Sequence, residues 1–389
     1  MTRILISAGD VSGDQHAAAL VRELRLRWPD WKIYGLGGEA LARAGVDLIG
    51  DQSDLAVGGL FELLGQVGRV RRAWMAVQKA LTEIDPELVI LVDSAGFNLP
   101  LARQVRARTR ARTLYFIAPQ IWAWRPGRLK RIIRRIDRVA VIFPFEKSAY
   151  ASSPLPVDFV GHPLVEELGA WRAGCDRDEA CRRLGLDPAR RWVALLPGSR
   201  RNEVASHLPL MLAAARLMAS DCPELGFLLA LAPSIDRGQV EQILDRSRAL
   251  GEAPAKLLIR EGASREVIRA SCLVLLKPGT GTVESMLLQR PMVVVGRAHP
   301  LTAGLVRRLL KVRWLGMPNL IAERSIVPEL LQSDATPQRV AEQASALLNA
   351  EAESRQTRDL AKAEQRLGPP GAIRRVADLA ESMVVSHSE

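Results

Sequence analysis

The feature that most constrains this chain is a sustained alternation of short, β-branched apolar runs with longer amphipathic stretches. A continuous apolar run bounded by turn residues suits a strand buried on both faces, and the stretches between are long enough for crossover helices. Such a pattern leads to parallel sheets covered by helices on both sides. In the first series, Arg3-Ile4-Leu5-Ile6 reads as a strand and residues 13–27 as the helix that follows. Lys32-Ile33-Tyr34 opens the next strand, and Leu88-Val89-Ile90-Leu91-Val92 is a central strand ending at Asp93. Residues 113–117, 138–143 and 157–160 continue the series, the last after the turn-rich segment 152–156. Residues 169–178, polar and glycine-containing, read as an interdomain linker. A second series begins at Trp192-Val193-Ala194-Leu195-Leu196 and runs through residues 226–231, 256–259, 272–276 and 291–295. The expectation is two doubly wound α/β domains, residues 1–168 and 176–350. A terminal helical segment, 351–389, packs back on the first domain. A length of 389 residues agrees with two domains at about 150 residues each.

Composition narrows the class. Hydrophobic residues make up 48% and charged residues 25%, enough apolar surface for two cores and too little charge for a disordered chain. The four cysteines (Cys175, Cys181, Cys222 and Cys272) form no CxxC pair and no cluster with histidine, which favours free thiols in a reducing compartment and no metal centre. Met1-Thr2-Arg3 leads straight into the first strand, too short for a signal peptide, and no apolar run approaches the roughly 18 residues of a membrane span. A cytoplasmic protein is expected. The net charge of +11 is uneven: residues 101–138 hold twelve arginines and lysines against one acid, Asp137. Such a block attracts an anionic lipid surface or a nucleic acid, and no zinc-finger, RRM or KH signature supports the latter. A solubilising helix face would carry the same charge. Trp122 and Trp124, among these basic residues, suit a membrane interface and core packing equally.

Four turns carry the chemistry, each at the carboxyl end of an expected strand, where ligands of open parallel sheets sit. Ser7-Ala8-Gly9-Asp10-Val11-Ser12-Gly13-Asp14 offers close backbone approach and free helix-start amides to an anion, with Ser12, Gly13 and Asp14 as candidate contacts. It is not the GxGxxG of dinucleotide binders, and an ordinary strand-to-helix turn would read the same. Asp93, in Asp93-Ser94-Ala95-Gly96-Phe97-Asn98, is placed to take a proton, although an Asp there also serves as a helix cap. Pro197-Gly198-Ser199-Arg200-Arg201-Asn202-Glu203 makes a phosphate cradle from Gly198 and Ser199, beside Glu203, with Arg200 able to stabilise a departing diphosphate. Lys277-Pro278-Gly279-Thr280-Gly281-Thr282-Val283-Glu284 presents amides and two hydroxyls from Gly279, Thr280, Gly281 and Thr282. Glu284, one turn in, can accept from a ribose diol. His162, in Gly161-His162-Pro163, is the one histidine near a strand end, and a satisfied core histidine is its simpler reading.

Taken together, these segments resemble the lipid-A-disaccharide synthase family over nearly the whole chain. The resemblance is carried by Ser12-Gly13-Asp14, by Phe97-Asn98 after Asp93, and by Pro119-Gln120-Ile121-Trp122-Ala123-Trp124-Arg125. It continues through Phe143-Pro144-Phe145-Glu146-Lys147, Gly161-His162, the Pro197 and Gly279 turns, and Pro318-Asn319-Leu320. It implies a GT-B glycosyltransferase, inverting and independent of metal or cofactor, with its active site in the cleft between two Rossmann-like domains. Asp93 and Arg200 would be critical, with Asn98, His162 and Asn319 among the substrate contacts. The reaction implied joins UDP-2,3-diacylglucosamine to 2,3-diacylglucosamine 1-phosphate through a β-1,6 bond with release of UDP. It would take place peripherally on the inner face of the cytoplasmic membrane, with no nucleic acid involved and a homodimer left open. Two departures fall on the presumed acceptor side: Asp10 stands where the family has Glu, and Gly96 where a second Asp is common. Competing readings are a cell-wall transferase or 2-epimerase acting on UDP-N-acetylglucosamine, or a non-catalytic binder of lipid or nucleotide sugar. The tryptophan-rich string argues against the first pair, and retention of both Asp93 and Arg200 against the last.

Overall fold

The computed structural model describes residues 1–51, 63–119, 127–297 and 313–385. The chain divides into two units, Met1–Pro163 with Gly368–Glu389, and Leu164–Leu367.

The first unit runs β1 (Arg3–Ala8), α1 (Val11–Arg27), β2 (Lys32–Gly37), α2 (Glu39–Arg43), β3 (Asp47–Asp51), α3 (Leu63–Ile84), β4 (Leu88–Val92), α4 (Ala95–Arg108), β5 (Arg112–Phe116), α5 (Gly127–Arg135), β6 (Arg138–Val141) and β7 (Val157–Phe159). The strands form one parallel sheet in the order β3-β2-β1-β4-β5-β6-β7. The order reverses direction between β1 and β4, which is where a doubly wound sheet opens a crevice for ligand. Their register pairs Ala8 with Val92, so the turn after β1 lies beside Asp93. All five residues of β4 are buried, and each fully buried Val, Leu or Ile contributes about 1.5–3 kcal/mol. Polar chemistry is thereby confined to the strand ends.

The second unit runs α6 (Leu164–Ala173), α7 (Arg177–Arg183), β8 (Trp192–Leu196), α8 (Arg201–Asp221), β9 (Gly226–Leu231), α9 (Arg237–Ala249), β10 (Leu257–Glu261), α10 (Ser264–Ala270), β11 (Leu273–Leu276), α11 (Thr280–Leu287), β12 (Met292–Gly296), α12 (Met317–Ala322), β13 (Glu329–Leu331), α13 (Pro337–Ala346) and α14 (Ala350–Gln365). Its parallel sheet, β10-β9-β8-β11-β12-β13, repeats the same winding with its switch point between β8 and β11. Its core gathers Leu208, Met211 and Ala215 of α8 under Val193, Phe227, Leu275 and Val293 of the strands. The chain then returns to the first unit as α15 (Ala372–Val385), packed against α1.

Three expectations change. Residues 169–178 are not a linker: α6 covers the first part, and Asp176 accepts the Glu179 amide at 2.7 Å to cap α7. The buried face of α6 is Leu164, Val165 and Leu168, all ahead of residue 169, so the stretch 169–178 by itself shows only its polar part. The division falls after Pro163 instead of near 168. The segment 351–389 is shared, because α14 stays in the second unit, where Gln356 accepts the Met292 amide at 2.7 Å. Only the part from Gly368 onward joins the first unit.

Candidate functional site

In the first unit the site is built on a strained strand end. Asp93 and Ser94 both adopt left-handed backbone, with φ of 49° and 42°. For residues other than glycine each costs on the order of 1–3 kcal/mol and persists only where surroundings enforce it. They do so here. The Asp93 carbonyl accepts from the buried Tyr115 hydroxyl at 2.7 Å and from Asn98 Nδ2 at 2.9 Å, and its amide donates to Phe116 at 3.2 Å. The carboxylate, half-buried, accepts the Ser94 amide at 2.7 Å. Beside it Asp10 caps α1 by accepting the Gly13 amide at 2.7 Å and reaches the Ser94 hydroxyl at 3.5 Å. A Cβ on Gly13 would lie 3.1 Å from Asp10 Oδ1 and 3.7 Å from Asp93 Cβ, so a bare backbone lets the two acids share one mouth. Ser12 is exposed at its rim.

In the second unit two turns lie side by side, joined by the Lys277 amide donating to the Leu196 carbonyl at 3.3 Å. Gly198, at φ 135°, and Gly279, at φ 141°, hold conformations that L side chains rarely adopt. A Cβ on Gly198 would sit 2.5 Å from Glu203 Oε2, so no larger residue fits. Both following helices, α8 and α11, start without a side-chain cap, whereas Asp176, Asp236, Thr336 and Asn349 cap α7, α9, α13 and α14. Uncapped first-turn amides and the helix dipole favour an anion. Arg200, with 81% of its side chain exposed, stands at the start of α8 and is only loosely paired, 3.9 Å from Glu203. Glu203 accepts the Ser199 amide at 3.1 Å and pairs with Lys277 at 3.1 Å. Burial works against its charge, but Lys277, the Ser199 amide and Arg200 outweigh that and hold its carboxyl below the usual range. Half-buried Glu284 behaves oppositely: burial pushes its carboxyl up, partly offset by Arg265 and reinforced by Glu167.

The structure thus groups Ser12, Gly13 and Asp93 at one switch point, and Gly198, Ser199, Arg200, Glu203, Gly279, Thr280, Gly281 and Glu284 at the other. Five expected contacts turn inward and are engaged within the fold. Asp14 is buried and accepts the amides of Gly38, Ala40 and Leu41, closing the start of α2. Asn98, fully buried, accepts from the Ser7 hydroxyl and donates to Val92 and Asp93 carbonyls. Thr282 donates to Gly279 and accepts the Met317 amide. Asn319 spends both its oxygen and its amide on Ile326, Val327 and Glu329. His162 is buried against Phe143, and desolvation, aided by His16, pushes it down to about 3. These residues brace the loops from within. Sequence reasoning gave no role to three residues found beside these turns: Asp10, noted there only as a departure, Lys277, and His207, whose ring bridges the Glu203 carbonyl (2.7 Å) and the Arg297 amide (3.2 Å). Trp122 and Trp124 lie outside the described residues.

Comparison with known proteins places this geometry. A family model described as lipid-A-disaccharide synthetase matches residues 4–381. The lipid-A-disaccharide synthase of Geobacter sulfurreducens is 38% identical over 383 residues, 98% of this chain and 97% of its own length. That of Myxococcus xanthus is 39% identical over 377 residues, covering 97% and 96%. Among solved structures, the UDP-GlcNAc 2-epimerase of Neisseria meningitidis bound to UDP-GlcNAc aligns with a TM-score of 0.66 at 10% identity, covering 98% of this chain and 100% of that one. MurG of Acinetobacter baumannii aligns at 0.55 with 16% identity, covering 98% and 100%. These two likenesses concern the fold alone, the GT-B pairing of doubly wound units. The sequence matches go further, since they run through both switch points and nearly end to end: the chain belongs to the lipid-A-disaccharide synthase family, glycosyltransferases of lipid A biosynthesis.

Proposed function

We propose that the chain transfers 2,3-diacylglucosamine from UDP to the 6-hydroxyl of 2,3-diacylglucosamine 1-phosphate, forming a β-1,6 bond and releasing UDP. Family membership supports the reaction, and the observation that carries the division of labour is the contrast between the two switch points. One holds two carboxylates, Asp10 and Asp93, and the other an exposed arginine above two uncapped helix starts. In this reading the second unit binds the nucleotide. Arg200 and the amides of Gly279 to Gly281 take the diphosphate, and Glu284 the ribose. The first unit binds the acceptor. Its 6-hydroxyl attacks the anomeric carbon from the face opposite UDP, the C1–O bond to the diphosphate breaks with its electrons going to the phosphate oxygen, and the hydroxyl proton passes to Asp93. Arg200 stabilises the charge that accumulates on UDP as it leaves.

No helix among the described residues is long and apolar enough to cross a membrane. The reading therefore includes peripheral docking on an anionic inner leaflet, where both acylated substrates reside, through the basic face of α5 with its exposed Lys130, Arg131 and Arg134. The decisive assay supplies the purified protein with UDP-2,3-diacylglucosamine and follows UDP. Release that depends on 2,3-diacylglucosamine 1-phosphate is expected; release without it, or none with it, overturns the reading.

A further inference from the structure

We infer that Lys277 is a second cationic ligand of the nucleotide diphosphate, aimed and held in reserve by Glu203; the inference rests on the nucleotide site proposed for the second unit. The two switch-point turns are joined by side chains as well as backbone. One carboxylate spans them, with Oε2 accepting the Ser199 amide at 3.1 Å and Oε1 pairing with Lys277 Nζ at 3.1 Å. The Arg200 guanidinium stands 3.9 Å from that same Oε1. Two cations therefore converge on one acid at the point where both uncapped helices begin.

The glycines of the two turns are shaped around this pair. A Cβ on Gly198 would lie 2.5 Å from Glu203 Oε2, and a Cβ on Gly279 would lie 3.0 Å from Lys277 Nζ. Lys277 thus hangs directly over the turn whose amides face a phosphate. Its side chain is 26% exposed and that of Glu203 20%, so neither is sealed from ligand. As a stability device so accessible a pair contributes little. As a charge device it is well placed. A diphosphate carries more negative charge than one carboxylate, and a flexible ammonium with three donors can turn from one to the other without moving the backbone. Glu203, held ionised by its neighbours, neutralises Lys277 until the nucleotide arrives, with Arg200 near the same carboxylate.

The two residues then have opposite effects on nucleotide affinity, which a bracing role would not produce. Calorimetry with UDP and with uridine on the full-length protein, with thermal melting as the check on folding, separates the cases. Lys277→Met is expected to weaken UDP by about tenfold or more while leaving uridine unchanged, the scale of one lost charge-assisted contact. Glu203→Gln keeps an acceptor for the Ser199 amide, removes the competing charge, and is expected to tighten UDP severalfold. If both variants lose affinity for UDP and uridine alike, the pair is a brace and the inference falls. If wild type binds UDP and Lys277→Met binds it equally, Lys277 alone is excluded. A wild-type protein that ignores UDP overturns the nucleotide site itself, and this inference with it.

Discussion

Asp93 occupies a conformation that its own side chain does not favour, and its strand end is fixed by Asn98, Tyr115 and Phe116. That fixity suits the general-base role proposed for Asp93, in which the carboxylate would meet the acceptor hydroxyl without a search. Asp93→Asn keeps shape and a hydrogen-bonding oxygen but cannot take the proton. Turnover is expected to fall ~10²–10⁴-fold while UDP affinity measured by calorimetry stays put. Near-normal turnover in Asp93→Asn, together with loss of activity in a folded His162→Ala, would move the base to His162. Arg200→Ala is expected to cost ~2–4 kcal/mol of transition-state stabilisation, and a variant keeping more than about a third of wild-type kcat/KM removes Arg200 from the mechanism. His162 has a different signature. It stays neutral in the fold down to about pH 3, whereas the unfolded chain protonates it near 6.5, so the unfolded state holds the extra proton in between. Stability is then complete above about pH 6.5 and declines as pH falls toward 3, by at most ~1.4 kcal/mol per unit. Urea unfolding at about pH 7.5 and pH 5.5 tests this; an identical loss in wild type and His162→Gln would clear His162. At this scale the turns were legible because proline, glycine and arginine declare a conformation and a charge locally. Asp14, Asn98 and Asn319 were not, since whether a polar group faces a ligand or a neighbouring amide depends on what the fold brings to it.

Among secondary-structure elements, central strands were readable and edges were not. β4 and β9 are unbroken apolar runs because helices cover both their faces. β3 holds two aspartates and a glycine, and β13 has three residues, so neither carries a period. The stretch read as a linker failed for a related reason: α6 and α7 are short, and capping by Asp176 looks in sequence like loop chemistry. Asn319 shows how such elements are fastened. From α12 it donates to the Val327 carbonyl at 2.9 Å and Glu329 at 2.7 Å, and accepts the amides of Ile326 at 2.6 Å and Val327 at 2.9 Å, pinning the approach to β13. Asn319→Ala leaves buried amides without acceptors, and a loss of about 2–4 kcal/mol in stability is expected. UDP affinity of the variant, measured well below its Tm, should match wild type. A variant with unchanged Tm and lost UDP affinity would restore Asn319 as a ligand contact.

For the molecule as a whole, charge placement is the property most visible in sequence, and the structure divides it into two kinds. Part of the basic block is engaged by partners of its own: Arg106 pairs with Asp137 at 2.9 Å, Arg138 with Asp158 at 2.7 Å, and Arg135 donates to the Leu99 carbonyl at 2.8 Å. The rest faces solvent on α4 and α5, where Arg103, Arg108, Lys130, Arg131 and Arg134 are exposed. Their field is felt within the fold, since Arg135 is pushed below its ordinary value first by burial and then by Arg103, Arg131 and Arg134. Unneutralised charge of this kind does little for folding and attracts an anionic leaflet, each basic residue near the surface contributing about 1 kcal/mol. The block should therefore bring the enzyme to its lipid substrates. Co-sedimentation with vesicles is expected to rise with anionic lipid and to fall as salt shortens the Debye length toward a few ångströms. Reversing Lys130, Arg131 and Arg134 together to Glu should abolish the response, while turnover of substrates dispersed in detergent is retained, because none of the three belongs to either switch point. Binding that ignores lipid charge and salt in wild type, or that survives the triple reversal, would show that the exposed charge on α5 serves solubility and that the substrates are reached by other means.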